Sequence, residues 1–127
     1  MLDTLRFVVQ QGRYEIKDTA QFSSSVDSLR YQSFSGQKPA YLIVPDDFAD
    51  CYFPQVFICK CKRTNWVYLD MFIECSVPKF LKGENLFSIR EEMKKPFALK
   101  MSQVLGWVRI IVSSDDIIMA PLRKLHI

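Results

Sequence analysis

Four cysteines, one histidine and two pairs of adjacent aspartates are the residues of this 127-residue chain with the most directly usable chemistry. Cys59-x-Cys61 on one strand, with Cys75 on the next, could offer three thiolates to zinc. Structural zinc takes four ligands, with two to four residues between paired cysteines, whereas a single residue separates Cys59 from Cys61. The lone histidine, His126, is penultimate and has no partner in sequence. The stronger reading makes these thiols small hydrophobes in or near the core. Asp46-Asp47 follows Pro45, and Asp115-Asp116 follows two serines, so both pairs read as turn formers before they read as ligands for a hard cation. No Gly-x-Ser-x-Gly elbow is present, and four scattered glycines cannot build a phosphate-cradling loop. The expectation is a protein that is not an enzyme, with no catalytic residue, no metal and no cofactor.

A different chemistry is written in the middle of the chain. Lys60, Lys62, Arg63, Trp66 and Tyr68 fall within nine positions, and Lys79 and Lys82 follow. Cationic side chains interleaved with aromatic rings suit single-stranded nucleic acid, because phosphates pair with Lys and Arg while bases stack on rings. The overall charge of +3 hides this asymmetry. Residues 1–57 hold five basic and seven acidic groups, residues 58–100 nine and five, and residues 101–127 three and two. A solvated lysine-rich face and a tryptophan that merely closes a hairpin are the plainer alternatives.

Those residues need a frame, and the apolar periodicity supplies one. From Val56 to Lys62 the residues alternate, Phe57, Cys59 and Cys61 against Ile58, Lys60 and Lys62, as in a half-buried strand. Arg63-Thr64-Asn65 is a turn. Val67, Leu69, Met71, Ile73 and Cys75 then share one face, with Tyr68, Asp70, Phe72 and Glu74 on the other, which completes a β-hairpin. Leu5–Val9 reads as an opening strand closed by Gly12, with Tyr14–Ile16 a short second one. Phe22, Val26 and Leu29 are spaced for a helix beginning near Thr19, Ser35–Pro39 is a turn, and Tyr41–Val44 a short strand.

Ser88-Ile89-Arg90-Glu91 has the form of a capping box, and Ile89, Met93, Phe97 and Met101 continue as one helical stripe. Pro96 predicts a kink or a division into two short helices. Trp107–Val112 reads as a strand, Asp115-Asp116 as a turn and Ile117–Ala120 as a last strand. The fold class expected is α+β: a single domain over 1–127, with a mainly antiparallel sheet, a central β-hairpin and one or two helices packed on one face. Seventeen aromatics can fill its core. No run of eighteen apolar residues occurs, and Asp3 and Arg6 interrupt the first apolar stretch, so the reading has no membrane span and no signal peptide and places the protein in the cytoplasm.

The stretch Ile73-Glu74-Cys75-Ser76-Val77-Pro78-Lys79-Phe80-Leu81-Lys82-Gly83-Glu84-Asn85-Leu86-Phe87 resembles the strand-and-loop segment of gene-II/X-type replication initiators of filamentous phages and related plasmids. The shared pattern is Ser76, Lys79, Leu81 and then Gly83-x-Asn85-x-Phe87 after a strand. Met1–Phe7 is similar to that family's opening, and Arg109-Ile110 matches an Arg-Ile pair on a strand after its helical region. Family members are much longer and nick DNA with a tyrosine, a metal and its ligands. This chain has Ile111 where they tend to carry an acid, and it has no histidine cluster. The resemblance therefore implies the amino-terminal subdomain of an initiator without its catalytic part, and Met1 suits a natural short gene product. The loop itself also has a plainer reading, as a packed connection in which Gly83 and Asn85 permit a tight fold anchored by Phe80, Leu81, Leu86 and Phe87.

Two functions follow as expectations. The first is a non-catalytic replication-associated protein that binds single-stranded DNA, or a replication partner, through Lys60, Lys62, Arg63, Trp66, Tyr68, Lys79 and Lys82. The second is a small phage-encoded inhibitor of a host defence nuclease, an anti-CRISPR protein, which contacts a host nucleoprotein complex through exposed aromatics such as Tyr52, Phe53 or Phe72.

Overall fold

The computed structural model describes residues 2–48, 50, 52–76, 80, 91–120 and 122–126, those of 2–3, 91–94 and 122–126 by their backbone alone. Strand β1 (Leu2–Val9) is followed by β2 (Tyr14–Ile16), two single-turn 3-10 helices (Thr19–Gln21 and Asp27–Tyr31) and β3 (Ala40–Tyr41). A third 3-10 turn (Asp46–Phe48) leads to the hairpin strands β4 (Gln55–Arg63) and β5 (Trp66–Ser76). Helix α1 (Glu91–Trp107), β6 (Ile110–Val112), a one-turn helix α2 (Ser114–Ile118) and β7 (Leu122–His126) complete the order. Five strands form an antiparallel sheet in the order β3-β4-β5-β1-β7, and β2 pairs with β6 in a separate antiparallel ribbon. The α+β class and the mainly antiparallel sheet are as the periodicity predicts, and no helix among the described residues is long and apolar enough to cross a membrane.

The hairpin is the spine of the sheet. Its register pairs Val56 with Ile73, Ile58 with Met71, Lys60 with Leu69 and Lys62 with Val67. Because side chains alternate along a strand, these pairs all project to one face. Leu5, Phe7 and Val9 of β1 join them opposite Cys75, Ile73 and Met71. Helix α1 covers this face. Phe97 meets Phe7 edge-on at 6.2 Å and Phe80 at 5.5 Å, and Met101 and Leu105 are fully buried beneath it. Arg63 and Trp66 close the hairpin around Thr64-Asn65, with Thr64 at φ 53 in the left-handed region that β-branched residues avoid.

Several elements differ from their sequence signals. The segment expected as a helix from Thr19 is two isolated 3-10 turns. Phe22, Val26 and Leu29 are buried as their spacing requires, but Asp18 accepts from the Ala20 amide and Ser25 accepts from the Ser28 hydroxyl. One further bond of this type joins the Ser25 hydroxyl to the Ser28 amide. Such local side-chain bonds compete with a helical ladder. The strand expected over Tyr41–Val44 shrinks to Ala40–Tyr41, with Leu42 bridging Phe22. Pro96 neither divides nor ends α1, which continues through it. It stands exposed near the start of the described helix, where water can satisfy the carbonyl it leaves unpaired.

Helix α1 also consumes Trp107, so the strand begins at Ile110. Trp107 stacks on Phe48 at 5.7 Å, and the chain reverses at Arg109, whose φ is 62. Asp115 and Asp116 belong to α2 and not to a turn before a strand. Ser113 is the N-cap: its hydroxyl accepts from the Asp116 amide and donates to the Asp116 carboxylate. The last strand is accordingly Leu122–His126. The Ser88–Glu91 capping signal, the side chains of Ile89 and Met93 and the loop 81–87 lie outside the described residues, as do Lys79 and Lys82.

Candidate nucleic-acid interface

The hairpin divides its basic residues between two faces. Arg63, Trp66 and Tyr68 belong to the face away from α1, while Lys60 and Lys62 belong to the face that α1 and the 3-10 segment cover lower down. The five therefore do not form one polar surface.

Lys60 is not a solvent-facing cation. Only 8% of it is exposed. Its ammonium donates to the Gln32 carbonyl and lies 4.6 Å from the centre of the Phe34 ring. The Lys60 carbonyl accepts from the Gln37 side-chain amide at 3.2 Å, and the Gln32 side chain accepts from the Lys38 amide at 3.0 Å. The cause is topological: the chain after the second 3-10 turn crosses this end of β4 as a strap, and a buried ammonium requires such partners. Assignment of Lys60 to a phosphate-facing surface is thereby corrected. Lys62, two residues further on, remains exposed.

Arg63 is committed as well. It pairs with Asp70, whose side chain is almost fully buried, and its guanidinium carbon sits 4.0 Å from the Tyr68 ring centre. Asp70 also accepts from the Gln11 amide at 3.0 Å, while the Gln11 side chain accepts from the Leu69 amide at 2.7 Å. The β1–β2 turn is thus clipped to the hairpin, and Arg63 neutralises the buried carboxylate. Its guanidinium lies over the Tyr68 ring rather than standing free. Sequence reading passes over Asp70 because an acid on the polar side of an amphipathic strand looks solvated.

Trp66 is the exception in this group. It lies 69% exposed at the end of the hairpin, next to the turn, which the exposed Lys62 flanks from the opposite face. The described part of the site is therefore a tip: a free indole and one free ammonium, held by a rigid Arg63–Asp70–Gln11 brace.

The face away from α1 carries a transverse aromatic row. Register aligns Val8, Phe72, Phe57 and Tyr41 across four strands. Phe57 and Phe72 stack at 5.4 Å with planes 7° apart, and Tyr41 lies 5.4 Å from Phe57. Phe57 and Phe72 turn their π-faces to one another, while Tyr41 is tilted 37° to Phe57. Arg6, 5.7 Å from Phe57, is paired with Glu74, its Nε donating at 2.7 Å. This row is self-satisfied and electrically balanced.

The thiols do not converge. Cys59 and Cys61 lie on the face of the aromatic row, whereas Cys75 is on the core face. Burial pushes the Cys75 thiol up to about 12 and Cys61 to about 11, where the neighbouring Asp70 adds to the effect; burial also raises Cys59. All three hold their protons at neutral pH. Among the described residues no group of His, Cys, Asp or Glu is placed to hold a metal ion. Comparison with protein-family models, curated proteins and solved structures finds no match to the chain.

Proposed function

We propose that this protein binds single-stranded DNA, without catalysis, through the tip of its central hairpin. Exposure of Trp66 carries the reading. An indole left in water at the end of a braced hairpin has the chemistry to stack a base, while Lys62, on the other face of the same tip, meets a phosphate further along the strand. The surrounding order supports it, since Arg63, Tyr68 and Asp70 stiffen the tip and reduce what binding must immobilise. The resemblance to the amino-terminal subdomain of gene-II/X-type initiators points to single strands at a replication origin, with Lys79 and Lys82 as further phosphate contacts.

The rival reading, an inhibitor of a host defence nuclease, relies on Tyr52, Phe53 and Phe72 as protein anchors. Each is held by neighbours of the fold, Phe53 and Phe72 half-buried and Tyr52, 37% exposed, tied by its hydroxyl. The Tyr52 hydroxyl accepts from the Ser76 amide at 2.6 Å, Phe53 packs on Phe48 at 6.0 Å, and Phe72 stacks on Phe57. Their engagement favours the DNA reading.

The test is a titration of labelled single-stranded DNA at low and physiological salt, with Trp66→Ala and Lys62→Gln beside the wild type. Affinity should fall steeply with salt, and loss of the indole should weaken binding by about 1–3 kcal/mol. Absence of binding at low salt, or a Trp66→Ala variant that binds as the wild type does, overturns the proposal.

A further inference from the structure

The strap over Lys60 makes the side of the hairpin that sequence reading leaves out into a charged surface. Its ends and middle expose Arg30, Lys38, Tyr31 and Phe34, Tyr31 being 88% exposed and Phe34 46%. Nothing in the local sequence marks the segment as basic, because its cations are separated by serines and glutamines. The fold gathers them. The Gln32 carbonyl and the Phe34 ring are fixed on the Lys60 ammonium, Gln37 on the Lys60 carbonyl, and Lys38 on Gln32. Lys62 projects from the same face of β4 two residues beyond Lys60, about 7 Å along the strand. Among the described residues, Arg30, Lys38 and Lys62 form no ion pair, and Asp27 is the nearby acid on the strap.

We infer that the strap is the second wall of the nucleic-acid site, in which Arg30, Lys38 and Lys62 take successive phosphates of a single strand and Tyr31 and Phe34 receive its bases. This deepens the reading of the hairpin tip and rests on it. Charge complementarity selects the occupant: three cations without ion pairs among the described residues, the open ring of Tyr31 and the half-exposed ring of Phe34 match a polyanion with π-faces, whereas the balanced row of Phe57 and Phe72 does not. Lys62, on the strap's face of the hairpin, and Trp66, on the opposite face, flank the same turn and link the two walls around the tip. A strand stacked on Trp66 would pass Lys62 and continue over the strap.

The experiment uses the full chain and a fluorescently labelled oligonucleotide, with binding measured over a series of salt concentrations. The variants are Tyr31→Ala, the double variant Arg30→Gln/Lys38→Gln, and Trp66→Ala as the control for the tip. Tyr31 and both cations are surface groups, so the variants should keep the wild-type circular dichroism spectrum. Tyr31→Ala should weaken binding about tenfold, the loss expected of one stacked base. The double variant should reduce the slope of log affinity against log salt by about 1.4, the value for two phosphate contacts on a single strand. If Trp66→Ala weakens binding while both strap variants bind with wild-type affinity and slope, the strap proposal fails and the tip survives. If the wild type binds no single strand, both fail. Polyglutamate of equal charge should compete poorly; equal competition would make the surface a docking site for acidic protein and overturn the assignment.

Discussion

At the scale of single residues, the most consequential side chain is Asp70, an acid buried on a strand. It accepts from the Gln11 amide and from Arg63, so it joins the β1–β2 turn to the hairpin tip. Asp70→Ala should cost about 2–3 kcal/mol in urea unfolding, because removing it leaves Arg63 and a backbone amide without their acceptor. A loss below about 0.5 kcal/mol would show that the brace is ornamental. Lys60 behaves differently. Lys60→Met keeps the aliphatic stem against Leu69 and removes only the ammonium bonded to Gln32. Global stability should fall by about 1–2 kcal/mol, with the loss of amide-exchange protection concentrated in residues 30–38. Uniform protection across the strap in that variant would mean that Gln37 and Gln32 hold it alone.

At the scale of elements, the hairpin was legible because its alternation is strict over both strands. Leu69, Met71, Ile73 and Cys75 are buried as the period of two requires. The strap was not legible, since the contact that fixes it joins residues 28 apart and involves a lysine, the type most often solvated. The helix expected at Thr19 failed for a local reason, as its serines and aspartate bond their own backbone. Trp107 was misassigned because an aromatic before Val-x-Ile-Ile-Val fits a strand equally well; its stacking on Phe48 settles it as helix. Of the five candidate site residues the structure describes, only Trp66 and Lys62 combine exposure with placement at the tip, and exposure is a tertiary property that spacing does not encode. The turn itself carries strain. Thr64→Gly relieves a left-handed threonine and should stabilise the protein by about 0.5–1 kcal/mol net of glycine's greater chain entropy. A thermal shift downward would show instead that the bond from the Thr64 hydroxyl to the Arg63 carbonyl at 2.6 Å matters more than the strain.

At the scale of the whole molecule, burial of titratable groups sets the response to alkali. Tyr14 is pushed up to about 12 by burial and donates to the Leu69 carbonyl at 2.6 Å; Cys75 and Cys61 are raised to about 12 and 11. All three bind protons more tightly folded than unfolded. The stability they contribute is therefore complete below about pH 9 and is lost as pH rises through about 11 to 12. Melting temperature should accordingly hold level to about pH 9 and then decline, less steeply in Tyr14→Phe; a level profile through pH 12 would refute this. The brevity of β3 bears on assembly. Even-numbered residues of β4 turn their backbone groups toward β3: the Val56 carbonyl accepts from Leu42 at 2.9 Å, and the Lys60 carbonyl from Gln37. By the same alternation the amide and carbonyl of Lys62 point past the end of β3, with no partner among the described residues. That leaves a stub of sheet edge on which a second molecule could add a strand, a pairing that a charged side chain such as Lys62 disfavours. Replacing Lys62 by valine should therefore drive concentration-dependent self-association in sedimentation, whereas glutamine should not. On that outcome the ammonium proposed to meet a phosphate would also guard the protein against its own kind.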